Sequence, residues 1–519
     1  MLRRIRITLA VICLFAVTAL FVDFTGTAQG WWGWLARIQL LPAVLALNVG
    51  IIIALIVLTL VLGRVYCSVI CPLGVMQDVF GRLGRLGKRK KFRYRFSKAK
   101  TVLRLALLAV MIVAVALGIG QVVALLAPYS SFGRIVQSFL SPLWALGNNL
   151  LAGVAEKHES YAFYQTDVWI RSVPTMIVAA TMLVVIGVLA WRNGRTWCNT
   201  VCPVGTVLGY LARFSLLKPV IDSSRCNKCG LCERQCKAAC INSKTHEIDY
   251  SRCVACMDCL GACHKSAISY KRKEHSFGRP TEFVPAASQH MDASGRVNES
   301  PSTPKAHDNA DRSRRAFLTG IGSLAVAAAI EAQEKKVDGG LAVIEDKKIP
   351  ERNTPIVPPG ALSLANLSRH CTACQLCVAA CPNGVLRPSS SLESLMQPRS
   401  SYERGYCRPE CTRCADVCPT GAIRRITAAD KSAIQIGHAV WVRENCIPLT
   451  DHVECGNCAR HCPVGAITMV GVDPNDESSL KIPVVNVEKC IGCGACENLC
   501  PARPLSAIYV EGHEVHKTV

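Results

Sequence analysis

Thirty of the 519 residues are cysteine, and most fall at regular intervals. Cys226, Cys229, Cys232 and Cys236 form one run of the pattern Cys-x2-Cys-x2-Cys-x3-Cys, and Cys253, Cys256, Cys259 and Cys263 repeat it. Four later runs each end in Cys-Pro: Cys371/Cys374/Cys377/Cys381, Cys407/Cys411/Cys414/Cys418, Cys446/Cys455/Cys458/Cys462 and Cys490/Cys493/Cys496/Cys500. Disulfide frameworks do not repeat this spacing, and zinc sites rarely add a third and fourth cysteine at this pitch. Soft thiolates in such quartets are ligands for cubane iron–sulfur clusters, so six quartets predict six [4Fe–4S] clusters. In two-cluster ferredoxins the fourth cysteine of each run ligates the other cluster. That rule predicts Cys226, Cys229, Cys232 and Cys263 around one cluster, and Cys253, Cys256, Cys259 and Cys236 around the other.

Lys237 and His264 stand where proline usually follows the fourth cysteine. A positive charge there favours the reduced, more negative cluster. Cys240 is read as a packing residue, with replacement of Cys236 as ligand the alternative. The wider gaps in the Cys407 and Cys446 runs read as loop insertions, and Gly-Ala-Ile at 421–423 and 465–467 as closing strands of ferredoxin repeats.

Two further pairs have another form. Gly63-Arg64-Val65-Tyr66-Cys67 continues to Cys71-Pro72-Leu73-Gly74, and Gly194-Arg195-Thr196-Trp197-Cys198 continues to Cys202-Pro203-Val204-Gly205. Each follows an apolar helix, so the unit is duplicated. Cysteines four apart share one helix face. Cys67, Cys71, Cys198 and Cys202 are therefore a candidate additional metal or redox site, against the alternatives of packing residues or a redox thiol pair.

The elements that must position these cysteines are largely apolar. Helices are predicted at 5–22, 38–62, 102–127 and 174–191, with Trp31, Trp32 and Trp34 as an interfacial belt. The first lacks a small-residue cleavage site and reads as an anchor. Eleven Lys or Arg lie in 64–100 and three in 128–173, which places the former on the cytoplasmic side and the latter outside. Residues 135–155 are read as a helix lying on the outer surface, with Trp144, Asn148 and Asn149 near a quinol. Residues 271–311 are polar and read as a flexible linker. Arg312-Ser313-Arg314-Arg315-Ala316-Phe317-Leu318-Thr319, before a short apolar run, resembles a twin-arginine export signal.

These readings give an α-helical membrane domain of four helices, with a fifth at the export-type segment, and two bacterial-type ferredoxin-like α+β [4Fe–4S] modules. The predicted domains are 1–215 (membrane), 216–270 (cytoplasmic, two clusters), 271–311 (linker), 312–333 (signal or fifth helix) and 334–519 (periplasmic, four clusters). The chain is placed in the inner membrane with several passes, 192–311 on the cytoplasmic side. The formal charge of +22 is explained by loops beside helices and by anionic clusters of about −2 each, rather than by nucleic acid. No predicted membrane helix contains histidine, no Cys-x2-Cys-His string occurs, and no dinucleotide fingerprint is present, so neither haem nor flavin is expected. Thiolate-held clusters do one-electron chemistry, and no catalytic residue is expected beside them.

With these motifs in view, residues 1–270 resemble NapH-type membrane ferredoxins, and 312–519 resemble NapG/MauM-type exported four-cluster ferredoxins, including a Pro-Pro-Gly-Ala lead-in at 358–361. The resemblance implies an electron-transfer subunit of a quinol dehydrogenase that passes electrons from the (mena)quinone pool to a periplasmic oxidoreductase or cytochrome. The alternative is a maturation or regulatory ferredoxin for a periplasmic metalloenzyme. It also implies nested pairing of the later runs: Cys371/Cys374/Cys377 with Cys500, Cys490/Cys493/Cys496 with Cys381, Cys407/Cys411/Cys414 with Cys462, and Cys446/Cys455/Cys458 with Cys418.

Overall fold

A computed structural model describes the chain except residues 1, 24, 87–93, 161–162, 167, 273–336, 339–341, 344, 474, 477–478 and 519. The linker beyond 272 and the twin-arginine segment lie outside the described residues. Residues 1–272 and 345–519 form one compact unit; 273–344 form a second, in which Val337–Asp338 pairs antiparallel with Ala342–Val343.

Helices of the first unit include Leu2–Val22 (α1), Leu40–Leu45 (α2), Val49–Leu62 (α3), Val65–Val69 (α4), Pro72–Leu86 (α5), Thr101–Leu117 (α6), Gly120–Leu126 (α7), Pro128–Ile135 (α8), Ser141–Lys157 (α9), Val173–Asn193 (α10), Thr196–Thr200 (α11) and Pro203–Leu211 (α12). Among the described residues only α1 and α10 are long and apolar enough to cross a membrane. The expected second and third spans are each broken. Leu47 takes a left-handed conformation and the Asn48 side chain caps α3 by accepting from Ile51 N, so 38–62 divides into α2 and α3. Gly118, at φ 73°, ends α6 before α7 begins, because only glycine takes that cap without a Cβ penalty.

α1 organises the unit. Its 21 residues extend about 30 Å at 1.5 Å per residue. Near its start, Arg3 Nε donates to Asp258 Oδ1 of the two-cluster module at 2.9 Å. Near its end, Phe21 packs on Tyr129 at 5.7 Å between ring centroids, within an apolar cluster that includes Cys374 of the four-cluster module. The two modules therefore occupy opposite ends of α1. The four-cluster module is fastened further by Trp169, against which Arg387 and Arg404 stack at 4.1 and 4.8 Å, and by Arg171, which donates to Val378 O at 2.7 Å.

Each module is built from two-stranded antiparallel sheets around short cysteine-bearing helices. Leu217–Ile221 (β1) pairs with Ile268–Arg272 (β2) in the first module. In the second, Ile434–Trp441 (β3) pairs with Ile508–Thr518 (β6), and Ile467–Gly471 (β4) with Lys481–Val485 (β5). The strand expected from Ile467 thus forms. Gly421–Ile423 instead makes a bend, because Ile423 N turns to Cys418 Sγ at 3.4 Å and Arg424 N to Gly360 O at 2.8 Å.

Candidate metal centres

Four of the six runs share one backbone device. Residues flanking the second cysteine take positive φ: Lys228 and Gly230, Ala255 and Met257, Ala373 and Gln375, Gly492 and Gly494. Left-handed conformations at non-glycine residues cost roughly 1–2 kcal/mol each and persist where the surroundings impose them. Alternating hand turns successive N–H groups into one concavity, which suits an anionic group. The fourth cysteines also accept N–H bonds: Cys263 from Ala267, Cys462 from Ala466 and Cys500 from Ala507, at 3.3, 3.2 and 3.3 Å. Such bonds to sulfur tune cluster potentials.

In the two-cluster module, Cys226, Cys229, Cys232 and Cys263 line one cavity, and Cys253, Cys256, Cys259 and Cys236 line a second. Each cavity draws three cysteines from one run and one from the other. Cys240 lines the second cavity as well.

In the four-cluster module the grouping differs from the nested one. Cys418 acts electrostatically on Cys371, Cys374 and Cys377. Cys407 and Cys414 each feel both Cys411 and Cys381. Cys411 therefore stays with its own run, and Cys381 replaces the expected Cys462 as the fourth sulfur of Cys407, Cys411 and Cys414. Lys431 Nζ, donating to Cys411 O at 2.6 Å and also to Arg408 O, fixes the loop that carries Cys411. Cys462 acts instead on Cys490 and Cys493, while Cys446, Cys455, Cys458 and Cys500 line a single cavity. The first run thus pairs with the second and the third with the fourth. Neighbouring runs close locally into two-cluster units, as consecutive elements usually do, whereas nested pairing would join the two ends of the module.

The duplicated motifs also converge. Cys67, Cys71, Cys198 and Cys202 are all buried, and Cys71, Cys198 and Cys202 each feel the charge of others of the set. The two halves exchange arms. Arg64 of the first motif donates to Cys198 O (3.4 Å) and Cys67 Sγ (3.8 Å), and Arg195 of the second donates to Cys67 O. The glycines that end each motif permit this approach: a Cβ on Gly74 would stand 2.4 Å from Cys67 O, and one on Gly205 2.1 Å from Cys198 O. Gly205 N donates to Cys202 Sγ at 3.4 Å and Gln77 Nε2 to Cys198 Sγ at 3.1 Å. Burial pushes the Cys71, Cys198 and Cys202 thiols above their ordinary range, so a cationic metal is needed to hold them as thiolates. Among the described residues no three His, Cys, Asp or Glu side chains gather tightly enough for a single metal ion. A cubane, with one thiolate on each of its irons, fits thiols that stand further apart.

The surrounding charges fit anionic clusters. Arg64 is fully buried, and its partners are Asn199 Oδ1, Ser251 O, Cys198 O and Cys67 Sγ, with no carboxylate among the described residues. Arg134, equally buried, donates to Ala124 O, Ser131 Oγ and Ala373 O beside Cys374. A buried cation without a counter-charge is costly, and a nearby thiolate cluster supplies one. Between the two-cluster module and the duplicated motifs lies a denser network. Asp78 accepts from Arg195 Nε and Nη2 (2.7 Å each), Lys237 Nζ (2.6 Å) and Arg6 Nη1 (3.1 Å). Burial would raise the Asp78 carboxyl, but Arg195 and Lys237 hold it well below the usual carboxylate range. Lys237, expected to project its charge onto a cluster, is engaged by Asp78 and by Asp258 at 3.3 Å. Asp78 escaped the sequence reading, although it is the only acid among eleven basic residues in 64–100.

A cavity of about 310 Å³ lies between the α2–α3 break and the turn after Cys418, lined by Arg37, Ala43, Asn48, Cys418, Arg424 and Arg425 among others. The asparagines expected to face a quinol are occupied otherwise. Asn148 donates to Tyr164 O and Asn149 to Thr166 O, both at 2.8 Å, fastening the following loop to α9.

Comparison with known proteins finds iron–sulfur families along the chain. A 4Fe-4S binding domain family matches at 45–91 and 173–221, where the only cysteines are Cys67, Cys71, Cys198 and Cys202. Two 4Fe-4S dicluster domain families match at 370–447 and 453–503. The methylamine utilization ferredoxin-type protein MauM of Methylophilus methylotrophus is 35% identical over 171 residues, 31% of this chain and 72% of that protein. The ferredoxin-type protein NapF of Escherichia coli strain K12 is 27% identical over 34% of this chain and 99% of its own length. The ferredoxin-type protein NapG of Haemophilus influenzae is 33% identical over 31% of this chain and 63% of its own length. No solved structure matches.

Proposed function

The chain belongs to the ferredoxin-type iron–sulfur electron-transfer family of MauM, and on that premise we propose that it carries electrons from a membrane (mena)quinol to a periplasmic oxidoreductase. A [4Fe–4S] cluster, when bound, takes up and releases single electrons. The six quartets would hold six such clusters, and Cys67, Cys71, Cys198 and Cys202 a seventh. In this reading α1 and α10 cross the inner membrane as part of a NapH-type helical domain. The two-cluster module lies on the cytoplasmic side and the four-cluster module on the periplasmic side.

One observation carries the reading. Two modules separated by a hydrocarbon core about 30 Å thick would be isolated from each other. The apolar cluster that buries Cys67, Cys71 and Cys202 is continuous with Cys374 through residues such as Leu73, Tyr129 and Phe132. On their other side, the motif cysteines adjoin the two-cluster module through Arg64, which reaches Ser251 O at 3.2 Å. In this reading the motif site lies on the path between the two modules. Its packing keeps water away, and the guanidiniums of Arg64 and Arg195 face its sulfurs and carbonyls.

The cavity beside Cys418 suits the quinol head. Its volume falls at the lower end of small-ligand pockets. The guanidiniums of Arg37, Arg424 and Arg425 offer donors to ring oxygens, and exposed Val44, Leu47 and Val49 continue an apolar surface beside its α2–α3 wall. Two measurements test the proposal. Iron should number about 28 per chain and fall to about 24 when Cys67, Cys71, Cys198 and Cys202 are replaced by serine; an unchanged count rejects the seventh site. A menaquinol analogue should bleach the cluster absorbance in wild type and more slowly in Arg424→Ala/Arg425→Ala. No bleaching in wild type rejects quinol as donor, and equal rates reject the cavity.

A further inference from the structure

Cys240 belongs to no quartet, yet its sulfur lies 3.5 Å from Cys236 Sγ. Cys253 is near enough to share a hydrogen bond with it as well. The cavity formed by Cys236, Cys253, Cys256 and Cys259 includes Cys240 in its wall, and Cys240 is only 1% exposed. A packing cysteine turns its sulfur toward apolar neighbours. This one faces two sulfurs of a ligand set.

The backbone holds it there. Cys236 ends a short helix, Leu231–Gln235, and the chain reverses through Lys237, Ala238 and Ala239, the last at φ 52°. Ala239 N donates to Cys236 O at 2.9 Å, and Asp249 N to Cys240 O at 2.8 Å, so the two cysteines stand at either end of one fixed turn. Lys237, inside that turn, is clamped by Asp78 and Asp258. Five thiols thus surround a place for a group that takes four.

We propose that Cys236 and Cys240 are interchangeable fourth ligands of the cluster held by Cys253, Cys256 and Cys259, which makes this a five-thiol site with a reserve ligand. The proposal rests on the iron–sulfur reading of the chain. When the two trade places, the bond from iron to Cys236 Sγ breaks as the bond to Cys240 Sγ forms. The proton on Cys240 passes to Cys236 across the short sulfur–sulfur gap. No electron moves and no outside reagent is needed. Damage to one sulfur then leaves the cluster ligated.

The full-length protein carrying Cys236→Ala, Cys240→Ala, both together, or Cys256→Ala distinguishes the outcomes. Each of the first two should keep the wild-type iron content, whereas the double variant and Cys256→Ala should each lose about 4 iron atoms. Iron loss in Cys236→Ala equal to that of the double variant overturns the proposal and returns Cys240 to packing. Unchanged iron in both the double variant and Cys256→Ala instead means that no cluster forms here, a failure of the underlying reading. A second readout uses the mild Cys240→Ala change. Shared ligation predicts two overlapping paramagnetic signals from this reduced cluster in wild type, reduced to one in Cys240→Ala. A single signal, identical in both, overturns the proposal.

Discussion

Replacing Asp78 by asparagine keeps the side chain's shape and removes the negative charge that joins three parts of the protein. Arg6 comes from α1, Arg195 from the second motif and Lys237 from the two-cluster module, and all three contact a carboxylate whose side chain is 14% exposed. Removing one partner of a buried ion pair costs about 3–5 kcal/mol, because the remaining charges stay buried and uncompensated. Asp258 relieves part of this, standing 3.3 Å from Lys237 and 3.9 Å from Arg6, but Arg195 has no second carboxylate among the described residues. The loss should therefore be near 3 kcal/mol, a factor of about 100 in the folding equilibrium. Denaturant unfolding in detergent, followed by protease protection of 216–272, measures it. Acid should mimic the substitution. A carboxyl held below its ordinary value contributes stability that is complete above about pH 3.9 and is lost only as the pH falls further, toward the depressed value. A change below about 1 kcal/mol in Asp78→Asn, the range of an exposed pair, would refute the claim that this network fastens the module.

Three other substitutions or titrations follow from particular contacts. Gly205→Ala should destabilise the motif site and lower iron by about 4 atoms, since its Cβ would meet Cys198 O at 2.1 Å and Arg64 Nη2 at 2.9 Å; iron analysis of the purified variant checks this. Trp169→Ala removes the ring on which Arg387 and Arg404 stack, and should increase proteolysis of the four-cluster module without altering its iron content. His516 is pushed down to about 4, chiefly by burial and then by His513, so its neutral form belongs to the fold. Stability from this group is present above about pH 6.5 and falls as the pH drops toward about 4, which thermal melts of wild type and His516→Gln at pH 7 and pH 5 would compare.

The cysteine code was legible because cluster ligation fixes spacing, which marks the runs as iron–sulfur motifs. Pairing in the later module was not, since identical Cys-Pro endings at Cys381, Cys418, Cys462 and Cys500 carry no label of their partner, and chain proximity decided it. The run through Cys411 accordingly took the fourth cysteine of the run before it. Apolar composition marked the helices but not their breaks. Leu47 in a left-handed conformation and the cap at Asn48 are local events that periodicity passes over. Charge counting marked 64–100 as basic and overlooked the lone Asp78, whose importance comes from partners contributed by residues 6, 195 and 237. The duplicated Gly-Arg strings were visible, but the exchange of arginines between the two halves required the fold.

In the proposed function Cys67, Cys71, Cys198 and Cys202 join the two modules electrically. Sealed membrane vesicles exposing the cytoplasmic face, treated with a membrane-impermeant reductant, test it by paramagnetic resonance of the four-cluster module. Those clusters should become reduced in wild type, while in the Cys67→Ser/Cys71→Ser/Cys198→Ser/Cys202→Ser variant only the two-cluster module does. Equal reduction of the four-cluster module in both proteins would contradict it.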